Sequence, residues 1–293
     1  MAQEMPTFRA TTNLVNVTFS ARDSQGTLVA NLTRDDVEVF EDASPQTISF
    51  FLRSVDVPLT LGIIVDVSDS QRHFYKQHSR DLQVFLQEIL GLKDKAFLIC
   101  FGNHLRLASD FSQSGAELLE HLRRFDQGDR NFPEIGPQQE RELGTAFYDA
   151  IYYSVTEKLA KENGRRALLI FSDGEDNSSS HDMMSTIEAA QSSNVPVFTL
   201  RYTQMARGKL TARNEYGISV MDRIARETGG RHFDARAINP HVYFKEIADE
   251  LRTSYELAYY PARPIKGQGF RKIVIRPRHD DLIIRCKTGY FPR

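Results

Sequence analysis

The sequence predicts an α/β fold: a doubly wound, mostly parallel sheet inserted in a β-sandwich-like module made by the two ends of the chain. Three observations carry this expectation. Between residues 57 and 250, continuous apolar runs such as "LTLGIIVDV" alternate with segments whose apolar residues recur at helical spacing. On either side of that block, apolar and polar residues alternate with the period of half-buried strands. Neither flank holds enough strands to close a core alone, because an isolated hairpin is marginal in water.

The first flank, 8–56, contains "LVNVTFSARD", where Leu14, Val15, Val17 and Phe19 bracket polar positions. "DSQGTLV" follows as a turn, with Gly26 free to take positive φ. "DVEVFED" alternates through Val37 and Val39, and "QTISFFLRS" is expected as a further strand after a Pro-containing turn.

The central block, 57–250, opens on the run ending at Asp66, which reads as a strand covered on both faces. "FYKQHSRDLQVFLQEIL" places Phe74, Leu82, Phe85, Leu86 and Ile89 on one helical face. "DKAFLICF" and the shorter "LRLASDFS" read as strands, and "AELLEHLRRF" and "TAFYDAIYYSVTEKLAKE" as helices. "RRALLIFSDG" and "VPVFTLRY" are buried strands on either side of the helix "DMMSTIEAAQSSN". "SVMDRIARETGG" is a helix with a glycine stop, "RHFDA" a short strand and "VYFKEIADELRTS" the last helix. The second flank, 251–293, returns to alternation in "YELAYYPA", "FRKIVIRPR" and "DLIIRCKTGYF".

Composition bounds the function. Of the 293 residues, 41% are hydrophobic and 26% charged, and the net charge of -2 argues against an electrostatic nucleic-acid binder. No apolar stretch approaches the ~20 residues that a membrane-spanning helix needs. Two cysteines, Cys100 and Cys286, are too few for a disulfide framework and fit no metal spacing, so both are expected as free thiols. The histidines, among them His73, His78, His104, His121 and His181, are scattered and fit no zinc pattern. The start "MAQE" resembles what remains after signal cleavage behind a small residue, an expectation of an extracytoplasmic protein. The sequons at Asn31 and Asn177 are too common to carry weight.

Ligand sites in open α/β sheets lie outside the carboxyl ends of the strands. Asp66, Ser68 and Ser70 fall at one such end, Asp173 at another, and Thr145 at the entrance of a helix. Gly144 and Gly174 give the backbone room beside the last two. Two carboxylates and three hydroxyls form an all-oxygen set, which suits a hard cation: Mg²⁺, or Mn²⁺ or Ca²⁺.

Asp66-Val67-Ser68-Asp69-Ser70, with Thr145 and Asp173 in order behind them, resembles the metal-ion-dependent adhesion site (MIDAS) of von Willebrand factor A domains. The resemblance covers 57–250 and implies their Rossmann-like α/β fold. The flanks, including "DSQGTLVANLTRDDVEVFED", are similar to those of bacterial VWFA-related proteins of acidobacterial type. The resemblance also implies roles. Asp66, Ser68 and Ser70 would supply the first metal-binding loop. Thr145 would bind directly when a ligand is engaged, and Asp173 would sit behind a bridging water. An open coordination position would take an Asp or Glu carboxylate from a partner protein, and the last helix, about 242–253, shifts in some members on binding.

Asp69 is expected to face solvent, and Glu175, Asp176 and Asn177 to form a solvated helix-entry turn, with a second Ca²⁺-type ion as the alternative. The polar loop 126–142 and the basic loop 203–217 are expected to rim the metal face. The rival is a Mg²⁺-dependent phosphotransferase-like hydrolase with Asp66 at the metal. Such enzymes typically carry a second Asp two residues on, where this chain has Ser68, and no G-x-S-x-G elbow or P-loop is present. A third reading is a structural module whose ion only stabilises the fold. The sequence favours a noncatalytic, metal-dependent protein-binding module.

Overall fold

The computed structural model describes residues 14–53, 57–137, 144–205, 208–236, 239–263, 269–279 and 281–292. The predicted α/β architecture is present. Strands β1 (Val15–Arg22), β2 (Val37–Glu41), β3 (Ser44–Gln46) and β4 (Ile48–Arg53) come first. The central block then runs β5 (Leu59–Asp66), α1 (Tyr75–Ile89), β6 (Lys95–Phe101), β7 (Leu105–Ser112), α2 (Gly115–Asp126), α3 (Phe147–Tyr153), β8 (Arg165–Ser172), α4 (Met183–Ser192), β9 (Val197–Arg201), α5 (Ala212–Thr228), β10 (His232–Asp234) and α6 (Pro240–Arg252). Strands β11 (Tyr255–Tyr259), β12 (Arg271–Pro277), β13 (Ile283–Cys286) and β14 (Gly289–Tyr290) close the chain.

The central sheet has the order β10-β9-β8-β5-β6-β7. All its pairings are parallel except β6 with β7. Every residue of β5 is buried, as expected of a strand covered on both faces. Leu61, Ile63 and Val65 face a core shared with Leu82 and Phe85 of α1, Leu122 of α2 and Phe244 of α6. Ile64 faces the opposite core, with Ile151 of α3, Ile187 of α4 and Met221 of α5. Gly62 is small for a reason: a Cβ there would lie 2.5 Å from Leu168 Cδ1 and 2.7 Å from Phe97 Cζ. From β5 the chain winds outward through β6 and β7 on one side and through β8, β9 and β10 on the other. The strand order therefore reverses beside β5, and the crevice at the carboxyl ends of β5 and β8 is the topological switch point.

The two ends of the chain build the second module together. One four-stranded sheet has the order β13-β1-β11-β4 and the other β14-β12-β2-β3. Val17 pairs with Leu257, Phe19 with Cys286 and Val39 with Ile275, each across strands from opposite ends of the chain. Val17, Phe19, Val39, Tyr255, Leu257 and Ile275 share one apolar core. Buried Glu41 accepts from Tyr259 Oη and Tyr290 Oη, both at 2.9 Å, and pairs with Arg271 at 2.6 Å.

Three local expectations are corrected. The Pro-containing turn is strand β3, with Pro45 opposite Phe40; the reversal is made by Asp42 and Ala43, both at positive φ, with Ala43 where such a turn usually has glycine. The segment "DLIIRCKTGYF" is not one strand: it breaks after Cys286, where Lys287 is buried, and β13 and β14 join different sheets. The loop 203–217 is helical from Ala212, because Thr211 and Asn214 form a capping box. The Gly229 stop holds, with φ 89. Residues 8–13 of the first flank lie outside the described residues.

Candidate metal centre

Strand β5 delivers Asp66 to the switch point fully buried. Its Oδ1 accepts from the backbone N–H of Ser68 at 2.9 Å, which folds the chain back over the carboxylate. Its Oδ2 accepts from Ser172 Oγ at 2.6 Å, at the end of the neighbouring strand β8. The loop is fixed from outside as well: Val67 N donates to Phe101 O at 2.8 Å, and Tyr75 Oη donates to Val67 O at 2.5 Å.

That loop places Ser68 Oγ and Ser70 Oγ 3.2 Å apart. Ser70 Oγ donates to Asp173 Oδ2 at 2.7 Å, and Gln71 Nε2 donates to the same oxygen at 2.8 Å. Asp173 Oδ1 accepts from Glu175 N at 3.1 Å. Thr145 enters from the segment before α3, two residues ahead of the first helical residue. Ala146 N donates to Gly102 O at 2.9 Å, which ties the segment to the end of β6. Thr145 N donates to Asn177 Oδ1 at 2.6 Å, and Thr145 O accepts from Asn177 N at 3.1 Å and Ser178 N at 3.2 Å. Gly144 permits this approach: its φ is 132, and a Cβ would lie 2.7 Å from Asn177 Oδ1.

The structure thus brings Asp66, Ser68, Ser70 and Asp173 into one hydrogen-bonded cluster. Thr145 lines the same cleft of about 740 Å³ as Ser68 and Ser70. Both carboxylates lie beneath the cleft surface, Asp66 at 0% and Asp173 at 3% exposure. Burial, and next the neighbouring Asp173, push the Asp66 carboxyl up to about 7. Two neighbouring buried carboxylates with neutral donors and no paired cation among the described residues are costly to ionise together. The donor set is all oxygen, which fits a hard divalent ion. Among the described residues no group of three or more His, Cys, Asp or Glu side chains could hold a metal alone, so any ion here depends on the hydroxyls.

Asp69 faces solvent as expected, paired with Arg72 at 2.9 Å. The turn at 175–177 reaches solvent as expected, with Asn177 exposed and Glu175 and Asp176 half-buried, but its side chains are engaged. Asn177 latches Thr145, Asp176 accepts from Tyr148 N at 3.3 Å, and Glu175 pairs with Arg213 at 2.7 Å. Burial, and next Asp173, raise the Glu175 carboxyl. Of the two loops expected at the rim, 126–142 contributes Arg130 to the cleft, while Arg213 comes from helix α5. Sequence reasoning missed Gln71 and Ser172, which hold the two carboxylates. Their adjacency to Ser70 and Asp173 was the available signal.

The fold and the switch-point site define the class as a doubly wound α/β domain joined to a β module. No family model and no curated protein matches the chain. Several solved structures are similar. An aerotolerance-related membrane protein from Bacteroides fragilis shares 18% identity with a TM-score of 0.49, over 66% of this chain and 98% of that one. BatB from Bacteroides thetaiotaomicron shares 17% with a TM-score of 0.48, over 66% and 97%. Proximal thread matrix protein 1 of the mussel byssus, solved with zinc in its MIDAS motif, shares 13% with a TM-score of 0.49, over 70% and 49%. Likeness this distant carries no functional argument.

Proposed function

We propose that the chain is a noncatalytic, divalent-metal-dependent protein-binding module of adhesion type. Its A domain, 57–250, is carried on a β module formed by 8–56 and 251–293. The observation that supports this most is the convergence of buried Asp66 and Asp173 with the Ser68 and Ser70 hydroxyls beside a cleft that Thr145 also lines.

Asp66, Ser68, Ser70 and Thr145 would hold Mg²⁺, or Mn²⁺ or Ca²⁺ in its place, and Asp173 would act from behind them. A bound ion would supply a Lewis-acidic position for an Asp or Glu carboxylate of a partner protein. The chain's own residues do the rest. Ser172 orients Asp66, Gln71 and Ser70 orient Asp173, and Asn177 holds the Thr145 segment in place. Because hydroxyls make up much of the donor set, little ligand charge would quench the ion, and it would keep its affinity for an outside anion. We also propose that the module works outside the cytoplasm. No helix among the described residues is long and apolar enough to cross a membrane.

Water-proton relaxation of the Mn²⁺-loaded protein tests the open position. Relaxation enhanced over free Mn²⁺, and reduced as a Glu-containing peptide is added, is the expected result. A protein-bound Mn²⁺ that gives no enhancement, or one indifferent to carboxylate, would refute the proposal.

A further inference from the structure

At the opposite end of β8 from the metal site, a cavity of about 800 Å³ separates the two modules. It is lined by Thr18 and Ser20 of β1, by Arg165 and Arg166 where β8 begins, by Asn194 before β9, and by Arg285 and Lys287. The modules meet beside it, where Asn194 Nδ2 donates to Thr18 Oγ1 at 2.7 Å.

The cations here have few direct partners. Lys287 is 5% exposed, and among the described residues its ammonium makes one hydrogen bond, to Gln191 O at 2.9 Å, and no ion pair. The Arg285 side chain makes neither a hydrogen bond nor an ion pair among them, and its Nη1 is buried without a partner. Arg166 donates once, to Leu159 O at 3.2 Å, and its Nε is buried without a partner. The lining acids act on these cations at longer range, Glu256 and Glu162 on Arg166 and Glu250 on Arg285, but their direct partners are other groups. Glu162 pairs with Lys95 at 2.7 Å. Glu250 accepts from Ser20 at 2.9 Å and pairs with Arg22 at 3.1 Å. Glu256 acts on both Arg165 and Arg166. Burial pushes the Lys287 ammonium down to about 8, and the neighbouring Arg166 pushes it the same way. A buried charge left without a counter-ion is strongly unfavourable, and a cavity of this size between modules is of ligand dimensions.

We propose that this cavity binds a small oxyanionic ligand, with a phosphate or carboxylate head group held by Lys287, Arg285 and Arg166. The guanidinium forks suit either head group, and the site lies away from the metal cleft and does not depend on it.

The test is thermal melting of the whole protein in phosphate and in succinate, against chloride at matched ionic strength. Wild type, Lys287→Met and Arg285→Gln are compared. One of the two anions is expected to raise the wild-type Tm by about 5 °C at a hundredfold excess over its dissociation constant, and that anion identifies the head group. Lys287→Met is expected to melt no lower than wild type in chloride, since it removes a buried charge at similar volume, and to lose the rise. Should Lys287→Met fail to fold, Arg285→Gln decides, because that side chain makes no hydrogen bond to lose. No rise over chloride in wild type would overturn the proposal. So would an equal rise in wild type and variants, which is the mark of a general salting effect.

Discussion

The Ser70 hydroxyl donates to Asp173 at 2.7 Å across 103 residues of sequence, and Gln71 donates to the same oxygen. The loop after β5 is therefore stitched to the loop after β8 by side-chain hydrogen bonds. Gln71 also donates to Tyr202 O at 3.0 Å, so its amide serves two buried acceptors. Gln71→Leu leaves both short of a donor and should lower the stability of the metal-free protein by about 1–3 kcal/mol. Urea denaturation in chelator measures it, and an unchanged midpoint would show that these bonds do not hold the loop.

The acid dependence of the metal-free protein should carry two opposed contributions. Asp66 is raised from 3.8 to about 7 in the fold, so the folded state holds its proton more tightly than the unfolded state. Its contribution is fully present below pH ~4 and is lost as pH rises through about 7. His78 is depressed from 6.5 to about 3 by burial, so its contribution is present above 6.5 and lost as pH falls toward 3. Asp66→Asn should abolish the first slope and leave the second. Melting curves from pH 4 to 8 in chelator decide it, and a variant whose profile parallels wild type would contradict the assignment.

In the β module, Arg271→Met strips the buried Glu41 carboxylate of its cation, leaving the Tyr259 and Tyr290 hydroxyls. Loss of one partner of a buried pair costs about 3–5 kcal/mol. Tyr259→Phe removes a single donor to the charged Glu41 and should cost less, about 1–3 kcal/mol. Equal effects in denaturant unfolding would mean that the carboxylate does not depend on the guanidinium.

Gly144→Ala should weaken ion binding without touching any proposed ligand. The φ of 132 disfavours alanine, and the added methyl meets Asn177 Oδ1, the acceptor for the Thr145 N–H. An affinity loss of about tenfold with the fold intact by circular dichroism is expected. Unchanged affinity would separate Thr145 from the site.

Much of the molecule was legible because its signals are local. The unbroken apolar run through β5 announced a strand covered on both faces, and the carboxylate and two hydroxyls at its exit announced a site. What escaped depended on tertiary context. Asp42 and Ala43 turn the chain at positive φ, but Ala43 stands where such a turn usually has glycine, so the local pattern does not announce β3. Lys287 ends β13 by burying its ammonium against Gln191 of helix α4, a contact no window of sequence contains. Asn177 looked like part of a solvated acidic turn, and only the close approach of Gly144 gives it the task of holding Thr145.

The most direct test of the metal-centre reading is calorimetric titration of the chelator-stripped protein with Mg²⁺, Mn²⁺ and Ca²⁺, wild type beside Asp66→Ala. Saturable binding of one ion to the wild type and none to the variant is the expected result. An Asp66→Ala protein that binds the same ion with undiminished affinity, or a correctly folded wild type that binds none of the three, would contradict it.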